Sequence, residues 1–302
     1  MTDFAALTTE AHRPELADVD QRPTLDIARL MNAGDAAVPA AVTARLPAIA
    51  AAIDAIAARM ARGGRLVYAG AGTAGRLGVL DASECPPTFG TAPGQVVGLI
   101  AGGRCALVTS AEGAEDSPAL AAADLDRIGL TPDDTVVGIA ASGRTPYAVG
   151  AVRHARALGA LTVGLSCNPG SALAAAAEHG IEVVTGPEFL TGSTRLKAGT
   201  AQKLVLNMLS TITMIRLGRT YGNLMVDVRA SNEKLRARAR RIVAQATGAP
   251  DDTIEEALTA TDGEVKNAIL MLLADVDAPT AARLLAEAGG RLRDALAAAA
   301  TQ

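Results

Sequence analysis

Five short apolar runs, separated by stretches of helical periodicity, occupy residues 66–184. They fall at 66–69, 96–100, 135–140, 161–165 and 181–184 and are built of Val, Ile, Leu, Ala and Gly, with Tyr68, Thr135, Thr162 and Glu182 the exceptions. Near-continuous apolar strands with no polar alternation need cover on both faces. That requirement points to a parallel sheet with helices on each side. The spacing therefore predicts a doubly wound five-stranded α/β unit, closed by a helix over 197–217.

The turns after the first and third runs carry the chemistry. Gly70-Ala71-Gly72-Thr73-Ala74-Gly75 fits G-x-G-x-x-G between a strand and a helix. Its glycines let backbone amides approach an anion at a helix N-terminus. A dinucleotide enzyme would place an acid at the end of the second strand, where Gly102-Gly103-Arg104 stands instead. Arg104 leaves an NADP site open as one reading, and a tight turn without ligand as another. After the third run comes Ala141-Ser142-Gly143-Arg144-Thr145-Pro146, with Pro146 placed as a first-turn helix residue. Two such loops at neighbouring strand ends would meet in one crevice. Their hydroxyls and amides suit a phosphomonoester.

Composition narrows the partners. The 302 residues carry 28 Lys and Arg against 32 Asp and Glu, a net charge of −4, which argues against a broad nucleic-acid surface. Aromatics are 2% of the chain, too few for a stacking platform. The three cysteines, Cys85, Cys105 and Cys167, form neither a disulfide framework nor a CxxC site. The three histidines show no metal-binding spacing, so no metal is expected. Residues 1–15 lack a signal pattern, and the apolar stretch 204–217 is too polar to span a bilayer. A cytoplasmic protein with no membrane partner is expected.

Two glutamates stand out between the loops. Glu84 precedes Pro86-Pro87, which are expected to stop the helix and leave Glu84 at its C-terminal end. Glu115 precedes Ser117-Pro118, an N-cap followed by a first-turn proline. The C-terminal end of a helix disfavours charge on Glu84, which suits an acid. The N-terminal end favours charge on Glu115, which suits a base. The plainer alternative is two surface acids. Cys85 reads as a packing thiol. His154 and His179 fall in helical patterns.

Three segments follow: an N-terminal helical segment over 1–55, the α/β unit over 56–225, and a helical linker with a C-terminal bundle over 226–302. Thr24 reads as the N-cap of the first long helix. The basic stretch Arg229 to Arg241 carries Leu235, Ala239 and Ile242 at core spacing, so its charges read as a solvated or subunit-facing side. Asn232-Glu233-Lys234 at its start resembles a segment of a known family, and that resemblance implies a place near the site. Arg195, Lys197 and Lys203 are candidates for anion contacts.

Several segments together give a resemblance. They are Gly70-Ala-Gly-Thr-Ala-Gly-Arg-Leu-Gly78, Asp81-Ala-Ser-Glu-Cys-Pro-Pro-Thr88, Glu112-Gly-Ala-Glu-Asp116, Ala140-Ala-Ser-Gly-Arg-Thr-Pro-Tyr147, Ser166-Cys-Asn-Pro-Gly170, the run from Thr194 to Asn207, and Gly222-Asn-Leu-Met-Val-Asp227. The chain resembles the N-acetylmuramic acid 6-phosphate etherases over nearly its whole length. That resemblance implies a sugar isomerase (SIS) fold with a small ubiquitin-associated-like C-terminal bundle. It implies a lyase that converts N-acetylmuramic acid 6-phosphate and water to N-acetylglucosamine 6-phosphate and D-lactate, acting as a homodimer without cofactor. It carries the proton donor over to Glu84 and the base to Glu115. Substrate and phosphate are then expected at Gly72, Thr73, Gly75 and Arg76, at Ser83, and at Ser142, Gly143, Arg144 and Thr145. Ala74 stands where the family often has Ser, which shifts phosphate contacts to Thr73, Ser142, Thr145 and backbone amides. Thr9-Glu10-Ala11-His12-Arg13-Pro14 replaces the family's Thr-Glu-x-Arg-Asn-Pro. A non-catalytic SIS-type sugar-phosphate sensor is the alternative function.

Overall fold

A computed structural model describes residues 7–109, 111–227 and 233–301. The chain folds as two compact units, one of Met1–Ser83 and Gly94–Thr211, the other of Glu84–Pro93 and Ile212–Gln302. Arg229 and Asn232 lie outside the described residues, as does the Lys234 side chain.

The first unit opens with three helices, α1 (Thr24–Asp35), α2 (Val38–Thr43) and α3 (Leu46–Met60). Thr24 is the first helical residue rather than the cap; Pro23 holds that position without a side-chain bond. Strand β1 (Leu66–Gly70) leads into α4 (Gly72–Phe89). Next come β2 (Val96–Ile100), α5 (Pro118–Arg127), β3 (Thr135–Ile139), α6 (Pro146–Ala157), β4 (Leu161–Ser166), α7 (Ala172–Ala176), β5 (His179–Glu182) and α8 (Lys197–Arg216). The five strands form one parallel sheet in the order β2-β1-β3-β4-β5. The order reverses at β1, so β1 and β3 flank the crevice where doubly wound sheets bind ligands.

Every residue of β1, β3 and β4 is buried, as the apolar runs require. Val67, Ala69 and Val136 pack into a core with Leu125 of α5 and Tyr147, Ala151 and Ala155 of α6. Tyr68 faces the opposite side, where α4 approaches so closely that a Cβ on Gly78 would lie 2.9 Å from Tyr68 Cβ. At the other end of the strands Arg65 and Asp134 pair at 2.6 Å. Asp134 also accepts from the amides of Arg65 (2.8 Å) and Thr131 (2.8 Å). This carboxylate ties the starts of β1 and β3 together.

The second unit holds a two-stranded hairpin, β6 (Thr220–Tyr221) and β7 (Leu224–Met225), then α9 (Glu233–Thr247), α10 (Asp251–Ala260), α11 (Val265–Ala274), α12 (Ala278–Glu287) and α13 (Leu292–Ala299). Its core gathers Val226, Ile242, Ile254, Val265, Ile269, Leu284 and Leu292. On α9, Ala239 and Ile242 are buried and Arg236, Arg240 and Arg241 exposed, which is the amphipathic pattern of the basic stretch. Among the described residues no single helix is long and apolar enough to cross a membrane.

Candidate functional site

The first loop is shaped by close packing. A Cβ on Gly75 would lie 2.6 Å from Ile100 Cγ1 and 2.7 Å from the Gly70 carbonyl oxygen. Only glycine lets α4 start this near to the end of β1. Gly72 has φ +53 and open space where a side chain would be. The first amides of α4 have no acceptor within the helix and so point to the crevice as donors. Thr73 sits half-buried in this first turn. Arg76 donates from Nε to the Leu107 carbonyl (2.9 Å), anchoring the 3-10 turn that follows β2. Ser83 is exposed, and its hydroxyl returns to the Leu80 carbonyl of its own helix (2.7 Å).

The second loop lies beside the first, because β3 pairs with β1 in register. Gly143 adopts φ +67, and a Cβ there would run into Ser171. Its carbonyl accepts from the Leu173 amide (2.9 Å), seating the loop on the turn after β4. Ser142 Oγ accepts from the Arg144 amide (3.1 Å). Thr145 occupies the N-cap of α6 and makes no side-chain capping bond, and Pro146 is the first helical residue. Gly72, Thr73, Gly75, Ser142, Gly143, Arg144 and Thr145 therefore belong to two adjoining helix N-termini at the carboxyl end of the sheet.

Asn168, which sequence reasoning did not single out, fixes this region. It is 1% exposed. Its Nδ2 donates to the Ala141 carbonyl (2.9 Å) and to Thr9 Oγ1 (3.1 Å), while its Oδ1 accepts from Thr8 Oγ1 (2.8 Å). The N-terminal Thr8-Thr9 pair thus braces the second loop through one amide. A signal was present, since the Asn stands in Ser-Cys-Asn-Pro-Gly at the carboxyl end of a strand.

Glu115 lies in a 3-10 turn, Ala114–Asp116, entered through Gly113 at φ +73. Ser117 caps α5 by accepting from the Leu120 amide (3.1 Å), as expected. The turn packs against α6, the helix that starts at the second loop. Glu115 is exposed.

Glu84 is exposed on α4, and here the sequence expectation needs correction. Pro86 and Pro87 lie inside the helix, which runs on to Phe89. The proline φ is helical, so the chain continues for one more turn, closed by the Gly90 amide on the Pro86 carbonyl (3.0 Å). The cost is local. The carbonyls of Ala82 and Ser83 lose the amide donors that ordinary residues at 86 and 87 would supply. Glu84 therefore stands beside two carbonyls stripped of their in-helix donors, not at a helix end.

One turn before Glu84, Asp81 is buried and accepts from Tyr68 OH (2.7 Å), Asn207 Nδ2 (2.7 Å) and Ser210 Oγ (3.2 Å). Burial pushes its carboxyl above the usual range despite these donors and the charge of Lys203. This network clamps α4 between β1 and α8. Another buried carboxylate, Glu188, has no sequence signal. It accepts from the amides of Lys197 and Ala198 (both 2.9 Å) and caps α8. Lys197 is buried as well, donating to the Thr185 carbonyl (2.8 Å), and burial pushes its ammonium down.

Cys85 is buried. Burial and the Glu188 charge push the Cys167 thiol up to about 12, which removes it as a nucleophile at neutral pH. His154 is in α6, but His179 starts β5 rather than lying in a helix. A groove of about 550 Å³ along α5 and α6 takes in Arg144, Arg153 and His154, and none of the other expected site residues.

Comparison with known proteins adds the family context. The glucokinase regulatory protein N-terminal SIS domain matches residues 48–156, and the SIS domain matches 119–212. The chain is 84% identical to the N-acetylmuramic acid 6-phosphate etherase of Streptomyces coelicolor, over 99% of this chain and 96% of that one. It is 79% identical to the protein of that name from Streptomyces avermitilis, over 98% and 96%. For the one from Rubrobacter xylanophilus the identity is 60%, over 96% of each chain.

Proposed function

The chain belongs to the N-acetylmuramic acid 6-phosphate etherase family, and from that membership we infer that it cleaves the D-lactyl ether of N-acetylmuramic acid 6-phosphate, a carbon–oxygen lyase step in cell-wall amino-sugar recycling. The observation that carries this reading beyond the family name is the pair of helix N-termini on adjacent strands. Free amides at two helix N-termini support the reading of a site for one phosphate. A non-catalytic sensor would share that site but has no use for two exposed glutamates on the flanking elements.

An alkyl ether resists direct displacement. In the opened sugar, an aldehyde at C1 acidifies the C2 proton, and the ether oxygen sits on C3. Glu115 removes the C2 proton, and the electron pair forms the C2–C3 double bond. The C3–O bond breaks, and Glu84 protonates the departing lactate. Water then adds to C3 of the α,β-unsaturated aldehyde and a proton returns to C2, giving N-acetylglucosamine 6-phosphate. Phosphate held at Thr73, Ser142, Thr145 and the loop amides orients the reacting carbons from a distance. Gly72, Gly75 and Gly143 give the backbone its approach, and Arg76 holds the turn behind the first loop. Arg144 and Ser83 are assigned to the substrate's polar groups. The enzyme works in the cytoplasm as a homodimer.

Each positioned acid or base contributes about 10²–10⁴-fold. Glu115→Gln is expected to lose D-lactate release and C2 hydrogen exchange together. Glu84→Gln is expected to lose lactate release while keeping exchange. A lactate assay with deuterium exchange read by mass spectrometry checks both. Full activity in either variant removes that glutamate from the mechanism.

A further inference from the structure

The helix that carries Glu84 ends in the second unit, where the residue after it, Gly90, meets the backbone of Asp227. Gly90 follows α4 at φ +61. A Cβ there would run into the Asp227 carbonyl oxygen and lie 3.4 Å from Asp227 Cβ, so the two backbones are in direct contact. Asp227 is itself held firmly. Lys266 of α11 donates to its carboxylate at 2.8 Å, and Arg219 pairs with it at 3.3 Å. The Lys266 side chain is 9% exposed and its Nζ also reaches the Gly290 carbonyl, between α12 and α13, at 2.8 Å. The neighbouring Val226 is buried in the bundle core.

We propose that the C-terminal bundle is a positioning device for Glu84, with Lys266, through Asp227, holding the end of α4 in place. Glu84 lies six residues before Gly90, about 9 Å along the helix axis. Between them, Pro86 and Pro87 remove two helical hydrogen bonds. The last turn is thus tied less strongly to its own helix than usual, and the bundle supplies the missing restraint. Lys266 and Asp227 are positioning residues and touch no substrate. The proposal rests on the assignment of Glu84 as the proton donor.

The test compares two rates on the full chain: D-lactate release, which needs both glutamates, and C2 hydrogen exchange into recovered substrate, which needs Glu115. Lys266→Met keeps the apolar stem and removes the charge. It is expected to lower kcat for lactate release about 10- to 100-fold, the scale of an ångström-sized misplacement. KM and C2 exchange should stay within about threefold. Lys266→Arg should restore most of the loss. If Lys266→Met does not fold, Arg219→Met removes the other cation on the Asp227 carboxylate, and the same split is expected. Equal loss of exchange and release, or no loss, overturns the proposal. Glu84→Gln run alongside separates the two failures. If it shows the split and the clamp variants do not, only the clamp is wrong. If it releases lactate at the full rate, the Glu84 assignment falls and takes the clamp with it.

Discussion

Asn168 spends its side-chain amide on three neighbours, two of them threonines more than 150 positions away in sequence. Replacing it with Ala removes the acceptor of the Thr9 amide and the donor to the Thr9 hydroxyl, both on a fully buried residue. Buried groups left unsatisfied cost about 1–3 kcal/mol each. Asn168→Ala is therefore expected to lower stability by about 2 kcal/mol and to raise KM several-fold by loosening the second loop. Thermal unfolding and substrate saturation curves would measure these effects, and an unchanged KM would show that the loop holds its shape alone. At this scale the sequence was partly legible. Gly72, Gly143 and Ser117 do what their positions predict, because local backbone geometry determines their roles. Asn168, Asp81 and Glu188 act through partners distant in sequence, and no local pattern announces such contacts.

The elements follow the same logic. Strands β1 to β4 lie where the apolar runs stand, since a strand buried on both faces has no other composition open to it. Strand β5 is displaced: it pairs through His179 and Gly180, two residues earlier than the apolar run. At His179 and Gly180 the backbone pairs without a buried side chain, and Gly180 admits the close approach of Ala174, so hydrophobicity does not mark the start of the strand. In α4 the proline rule is overridden, because a first-turn-like φ is tolerated where the lost bonds fall near the helix end. The hairpin β6–β7 was not expected, being only two residues per strand.

Asp134 gives the element scale a pH signature. Burial opposes its charge, but the bonds from Arg65 and the amides of Thr131 and Arg65 outweigh it and hold the carboxyl below its ordinary value of 3.8. Its stabilising effect is full above that value and is lost as pH falls through the lower native one. Asp134→Ala is expected to cost about 3 kcal/mol at pH 7, the scale for breaking a buried pair. Urea unfolding should show the difference from the native protein shrink towards pH 3. A difference constant with pH would mean that packing, not charge, joins β1 to β3.

At the scale of the whole molecule, a net charge of −4 is compatible with the proposed phosphate site, because backbone amides at two helix ends would supply the attraction locally. The same economy explains the scarcity of aromatics: a phosphate anchor makes ring stacking dispensable. Composition alone excluded broad classes but could not reveal that a helix begun at the phosphate loop ends against the C-terminal bundle. That continuity puts the proposed phosphate loop and the proposed acid Glu84 on one helix, and it became visible only in three dimensions. The central claim is that the ether is cleaved by loss and return of the C2 proton. The most direct measurement is mass spectrometry of the N-acetylglucosamine 6-phosphate formed from N-acetylmuramic acid 6-phosphate in deuterium oxide. The account predicts one deuterium at C2 for each D-lactate released. Lactate released with no deuterium at C2, or no lactate at all, would contradict it.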